Sequence, residues 1–134
     1  MFEKGLSNHK NMTDSKKEKK ELDALWSKLV KLRAGDKCEY CSRKDTLNSH
    51  HIYSRSNPAV RWDERNGACL CVAHHTFSSS FSAHKTPIEF VEWLKEKRGE
   101  TWYQTLRLIA FQTKNKVDKK LLKLYLENEI EKLI

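Results

Sequence analysis

Cys38, Cys41, Cys71 and His74 are spaced as two ligand pairs, a C-x-x-C knuckle and a C-x-x-H knuckle. Two tight turns of this kind can each present two donors to one tetrahedral ion, which is the spacing of a structural zinc site. Four protein ligands leave no open position for water, so such a site would hold the fold and carry out no reaction. The stretch from Cys38 to His75 contains all four cysteines and four of the six histidines. With the knuckles assigned to zinc, His50, His51, Asn66 and His75 are left, and these four are the candidate active site. Cys69 has no place in the four-ligand count and is expected to be a buried thiol. Two disulfides are the other use for four cysteines, but C-x-x-C with C-x-x-H is metal spacing, and no secretory leader follows Met1.

Composition narrows the partners. A chain of 134 residues is expected to form one domain, and 38% hydrophobic against 33% charged residues leaves a lean core that a bound metal would help to stabilise. A net charge of +8 and a pI near 9.4 favour a polyanion such as DNA, because neutralising phosphates releases counterions. A merely soluble basic surface is the plainer alternative. No run approaches the roughly 20 apolar residues of a membrane span, so a soluble, cytoplasmic protein is expected.

The elements that must position the candidate site follow from periodicity. Residues 1–20 are polar and end in Lys16, Lys17, Glu18, Lys19 and Lys20, which reads as a flexible basic arm preceding a single domain over 21–134. Leu25, Trp26, Leu29, Val30 and Leu32 recur at helical spacing, predicting a helix from about Lys17 to Ala34 that Gly35 stops, with Trp26 in the core. A core over 36–84 should hold a first strand at Thr46 to Tyr53, a long loop anchored by Trp62, a second strand near Ala68 to Leu70, and a helix from Thr76 to about Ser82 that opens beside His75. Strand alternation sends His50 and His51 to opposite faces, so one of them must sit at a strand end or bulge if both are to reach one metal centre.

Arg55, Arg61 and Arg65 in that loop could grip phosphates, and salt bridges to Asp63 or Glu64 are the structural alternative. His84 lies outside the pattern and is expected at the surface. Thr86-Pro87-Ile88-Glu89 reads as a capping box opening a helix to Gly99, Thr101 to Gln104 opens another, and Asp118 caps a last helix. These helices and residues 21–35 flank the core, giving an α+β fold that is mostly α by residue count. The last helix has an apolar stripe, from Leu121 to Leu133, that must be covered. Packing within the chain is the simpler solution, and a homodimer through this helix is the alternative.

His50-His51-Ile52, Asn66, and Cys71 to His75 together resemble the HNH nuclease signature, in which a ββα fold wraps one catalytic metal. A wider likeness over about Leu22 to Leu108 includes Leu25 to Arg33, Ser54-Arg55 and Val60-Arg61-Trp62-Asp63, and is most similar to the NinG (Rap) recombination nucleases of phages. The resemblance implies a zinc-stapled ββα-metal core, a catalytic divalent cation (Mg²⁺, Mn²⁺ or Ni²⁺) on His50 and His75, and His51 as general base. It implies that Asn66 orients His51 or pins the loop. Activity would be hydrolysis of DNA phosphodiester bonds, with branched recombination intermediates as substrate, in a bacterial or phage-infected cell. Where His50 stands many relatives have Asp, and two imidazoles favour softer ions than Mg²⁺. Other readings are a general phage nicking or packaging-associated HNH nuclease, and a non-catalytic zinc module that binds DNA.

Overall fold

The computed structural model describes residues 2–112 and 116–134, and the side chains of most of the expected arm, residues 1–14, lie outside what it describes. The elements in order are α1 (Phe2–Arg33), β1 (Leu47–His51), a 3-10 turn (Glu64–Asn66), β2 (Gly67–Cys71), a π-helical turn (Ala73–Phe77), α2 (Pro87–Arg98), α3 (Glu100–Ala110) and α4 (Lys119–Glu131). This is an α+β fold in which helices cover a two-stranded antiparallel sheet. Residues 15–20, expected in the arm, are helical and part of α1. The physical reason is that α4 runs beside α1 and gives it polar partners, with Lys119 Nζ donating to Ser15 Oγ at 3.3 Å and Lys123 paired with Glu21 at 2.9 Å.

The apolar stripe of α1 does what its spacing predicts. Leu22, Trp26, Leu29 and Val30 are buried and pack on Trp62 and Cys69 and on Leu126 and Ile130 of α4. The C-terminal helix therefore buries one stripe within the chain, against α1. Gly35 ends α1 with a left-handed φ of 74°, and Asp36 donates its N–H back to the Lys31 carbonyl.

All five residues of β2 are buried because the strand is covered on both faces. Cys69 belongs to the α1 cluster, whereas Ala68 and Leu70 pack with Phe90 and Leu94 of α2. The small residues are required here. A Cβ at Gly67 would collide with Val30 Cγ2 and lie 2.9 Å from Trp26 Cζ2.

The helix expected at Thr76 to Ser82 is absent. The chain makes only the five-residue π-helical turn and then folds back, Ala83 N–H donating to the His74 carbonyl at 2.9 Å and His84 N–H to His75 at 3.1 Å. Serines explain the interruption. Ser78 Oγ takes the Phe81 N–H and Ser82 Oγ takes the Lys85 N–H, local bonds that compete with helix propagation. The capping box is also not formed, because Thr86 Oγ1 turns back to the Ser82 carbonyl and amide and makes no cap to α2. Asp118 does cap α4, accepting from the Leu121 N–H at 3.1 Å.

Gly67→Ala should lower unfolding stability by about 1–3 kcal/mol, the usual cost of overpacking a close contact, with the expected reading a lower urea midpoint at unchanged slope.

Candidate active site

The two knuckles meet. Cys38, Cys41, Cys71 and His74 offer donor atoms that all lie within 4.8 Å of one another, a set that could hold a metal ion such as zinc. Cys41 Sγ is 3.7 Å from Cys71 Sγ, Cys71 Sγ is 3.3 Å from His74 Nδ1, and Cys38 Sγ is 3.9 Å from the same nitrogen. Tetrahedral zinc with sulfur at ~2.3 Å and nitrogen at ~2.0 Å needs edges of about 3.5–3.8 Å, so the donor set fits. The first knuckle is a backbone-defined turn, with Cys38 N–H donating to the Arg43 carbonyl, Ser42 N–H to the Cys38 carbonyl, and Ser42 left-handed at φ 67°. Burial would push the Cys38 thiol up, but donors from the backbone at Cys71, Cys41 and Tyr40 and from His74 outweigh it and bring it down to about 6. Burial raises Cys41, and it pushes the fully buried Cys69 thiol up to about 11, as befits a structural cysteine outside the ligand set.

A second cluster lies apart from the first. His50 of β1, His75 of the π-helical turn and His84 of the following loop bring ring nitrogens within 4.8 Å of one another. His75 Nε2 and His84 Nε2 are 3.1 Å apart, and the His50 ring stands edge-on to both. Burial first, and then the His75, His84 and His51 rings, press His50 down to about 3, while burial and His84 lower His75. Both are therefore neutral imidazoles near neutral pH, the form that ligates a metal.

His84 was expected at the surface. It is exposed, yet it is the third member of this cluster. No spacing rule points to it, because it is brought in by the fold-back after the serine run. The two backbone bonds that pin residues 83 and 84 to residues 74 and 75 set its place.

His51 does not join the cluster. The sheet register pairs His50 with Ala68 and His51 with Gly67, so alternation sends His50 toward Phe90 of α2 and His51 toward α1. There the His51 ring stacks on Trp26 at 3.9 Å and 11°. Its Nε2 donates to the Arg61 carbonyl at 2.9 Å, which leaves Nδ1 of the neutral ring as the proton acceptor. Burial is the main influence lowering the His51 pKa, partly offset by the bond to Arg61 and by the Asp23 charge.

Asn66 pins the loop. Fully buried, it accepts from the Tyr53 N–H at 2.7 Å and donates to the carbonyls of Tyr53 and Val60 at 3.0 and 3.1 Å, so its amide bonds close the loop from both sides.

The three arginines carry ion pairs of unequal quality. Arg65 grips Asp63 through both Nε and Nη2. Arg61 forms a two-point contact with Asp23, whose Oδ1 also accepts from Trp62 Nε1 at 2.8 Å. Arg55 is the most exposed of the three and reaches Asp23 only at 3.4 Å. Burial alone would raise Asp23, but its bonds to Arg61 and Trp62 hold it below the usual carboxylate range. Asp23 has no place in the sequence pattern, and only the fold shows that α1 supplies the anchor for the loop.

Comparison with protein-family models, curated proteins and solved structures gives no match. Among the described residues, no helix is long and apolar enough to cross a membrane.

Cobalt titration should separate the two sites. Cys41→Ser is expected to lose the thiolate-to-cobalt absorption and to melt at a lower temperature. His84→Ala should keep both while weakening the second equivalent of ion by at least about tenfold.

Proposed function

We propose that this chain is a metal-dependent DNA endonuclease of the HNH type, most like the NinG (Rap) recombination nucleases of phages, acting on branched DNA in a bacterial or phage-infected cytoplasm. The observation that carries this reading is the partition of the ligands. A complete Cys₃His set is formed, and a separate cluster of three histidines includes His50, the neighbour in β1 of a fourth, His51, whose bond to the Arg61 carbonyl leaves Nδ1 as the acceptor. A zinc module that only bound DNA would need the first set and none of the second.

In this reading Cys38, Cys41, Cys71 and His74 hold a structural zinc and fix the turn that carries His75. A divalent ion on His50, His75 and His84 would neutralise phosphoryl charge and stabilise the leaving 3′ oxygen. His51 takes the proton of the attacking water, its ring plane set by Trp26 and its tautomer by the Arg61 carbonyl. Asn66 acts through the loop backbone and is a positioning residue. An all-imidazole set suits Mn²⁺, Ni²⁺ or Zn²⁺ better than Mg²⁺.

Of the proposed phosphate contacts, Arg55 is the one free to leave its partner, while Arg61 and Arg65 are held by close carboxylates. Lys16 and Lys20 are exposed and share the α1 face of Asp23, at i, i+4 and i+7, so a basic track leads along α1 to Arg55.

The test is cleavage of labelled linear duplex, fork and four-way junction by the zinc-loaded protein with added Mg²⁺, Mn²⁺, Ni²⁺ or no metal. Cutting should need an added ion, favour Mn²⁺ or Ni²⁺, prefer the branched substrates, and fall at least about 100-fold in His51→Ala, the usual range for losing a general base. Retained cutting by His51→Ala would remove it as the base. Arg55→Ala is expected to weaken DNA binding and flatten its salt dependence at an unchanged melting temperature, whereas Arg61→Ala should lower the melting temperature.

A further inference from the structure

A concave feature begins two residues along the chain from His50 of the three-histidine cluster. It is a pocket of about 200 Å³ between the end of β1 and helices α2 and α3. Tyr53, Trp102 and Tyr103 are among its lining residues, together with Ile52, Val91 and Leu106. Its position is set by the same register that places His50. Ile52 follows His50 by two residues and lies on the same side of the chain, and Val91 follows Phe90, the residue against which His50 packs. The pocket therefore opens on the α2 side of the chain, as His50 does.

Its lining and rim have the chemistry of a nucleic-acid strand. Lys95 Nζ stands 4.5 Å over the Tyr103 ring while paired with the exposed Glu100, and Arg107 is exposed on α3. Phe111, exposed at the end of α3, meets Tyr53 edge-on at 6.4 Å. Half-exposed aromatic rings interleaved with cations are how proteins hold unpaired bases, the rings taking the base faces and the cations the phosphates. An aliphatic ligand would have no use for the cations, and a duplex could not enter a pocket this narrow.

The geometry points to this pocket as a receptor for one unpaired nucleobase of the DNA substrate, stacked among Tyr53, Trp102 and Tyr103, next to the phosphate presented to the histidine cluster. The inference rests on the nuclease reading and deepens it. Selection of branched over linear DNA then follows from geometry, since only a junction or fork offers an unstacked base beside the scissile bond at little cost.

The test is fluorescence-anisotropy binding of forked duplexes by zinc-loaded protein carrying His51→Ala, so that no cutting interferes. The forks carry either a normal nucleotide or an abasic residue at the first unpaired position. The abasic fork should bind about tenfold more weakly, a difference typical of one lost base–aromatic stack. Val91→Trp, which fills the pocket from its wall, and Tyr103→Ala should each bind both forks alike, at the affinity of the abasic fork. Trp102→Ala is avoided because its Nε1 donates to the Arg65 carbonyl and holds the fold. Equal binding of the two forks by the parent protein would overturn the pocket while leaving the nuclease standing. Absence of binding to any DNA at low salt would overturn both.

Discussion

The fold depends on keeping β2 dry on both faces. A two-stranded sheet is marginal by itself, and it persists here because α1 covers one side and α2 the other. That burial demands small residues, and Gly67 supplies one where Trp26 and Val30 press closest, as Ala68 does on the α2 side. Once β2 is held, the antiparallel register fixes β1, and the register alone decides that His50 faces α2 while His51 faces Trp26. The division of labour proposed for these adjacent histidines is therefore a property of the strand pleat.

Asp23 is the second organising group. One carboxylate on α1 accepts from Arg61, Trp62 and Arg55, residues 32 to 39 positions away in sequence. Together with the Asn66 amide bonds it gives the loop between the strands a defined shape with little regular structure. Among the described residues no buried side-chain nitrogen or oxygen lacks a partner. The same anchoring spends cationic charge internally, so the formal net charge overstates what the loop can offer to phosphate.

Local signals were readable where a short stretch of chain decides the outcome. The two knuckles, the apolar stripe of α1, the stop at Gly35, the Asp118 cap and the buried thiol of Cys69 all follow from residue type and spacing, and all are found. What escaped depended on return of the chain through space. His84 reaches the histidine cluster because serine side chains break the expected helix and two backbone bonds clamp the fold-back. Thr86 forsakes its cap for the same turn. The Asp23 partnership joins a helix to a loop across a distance that no periodicity encodes.

His74 and His75 are neighbours in one π-helical turn, yet each belongs to a different ligand set. In the proposed nuclease, occupancy of the two sets would then be coupled. Filling the four-ligand set first would remove the conformational freedom of the turn before the histidine cluster is called upon, so the entropy of ordering His75 would already be met. By reciprocity, an ion at the histidines would tighten binding at the cysteines by the same factor. Metal loading should thus be ordered and positively cooperative, and a chelator strong enough to strip the first set would silence the second without ever competing for it.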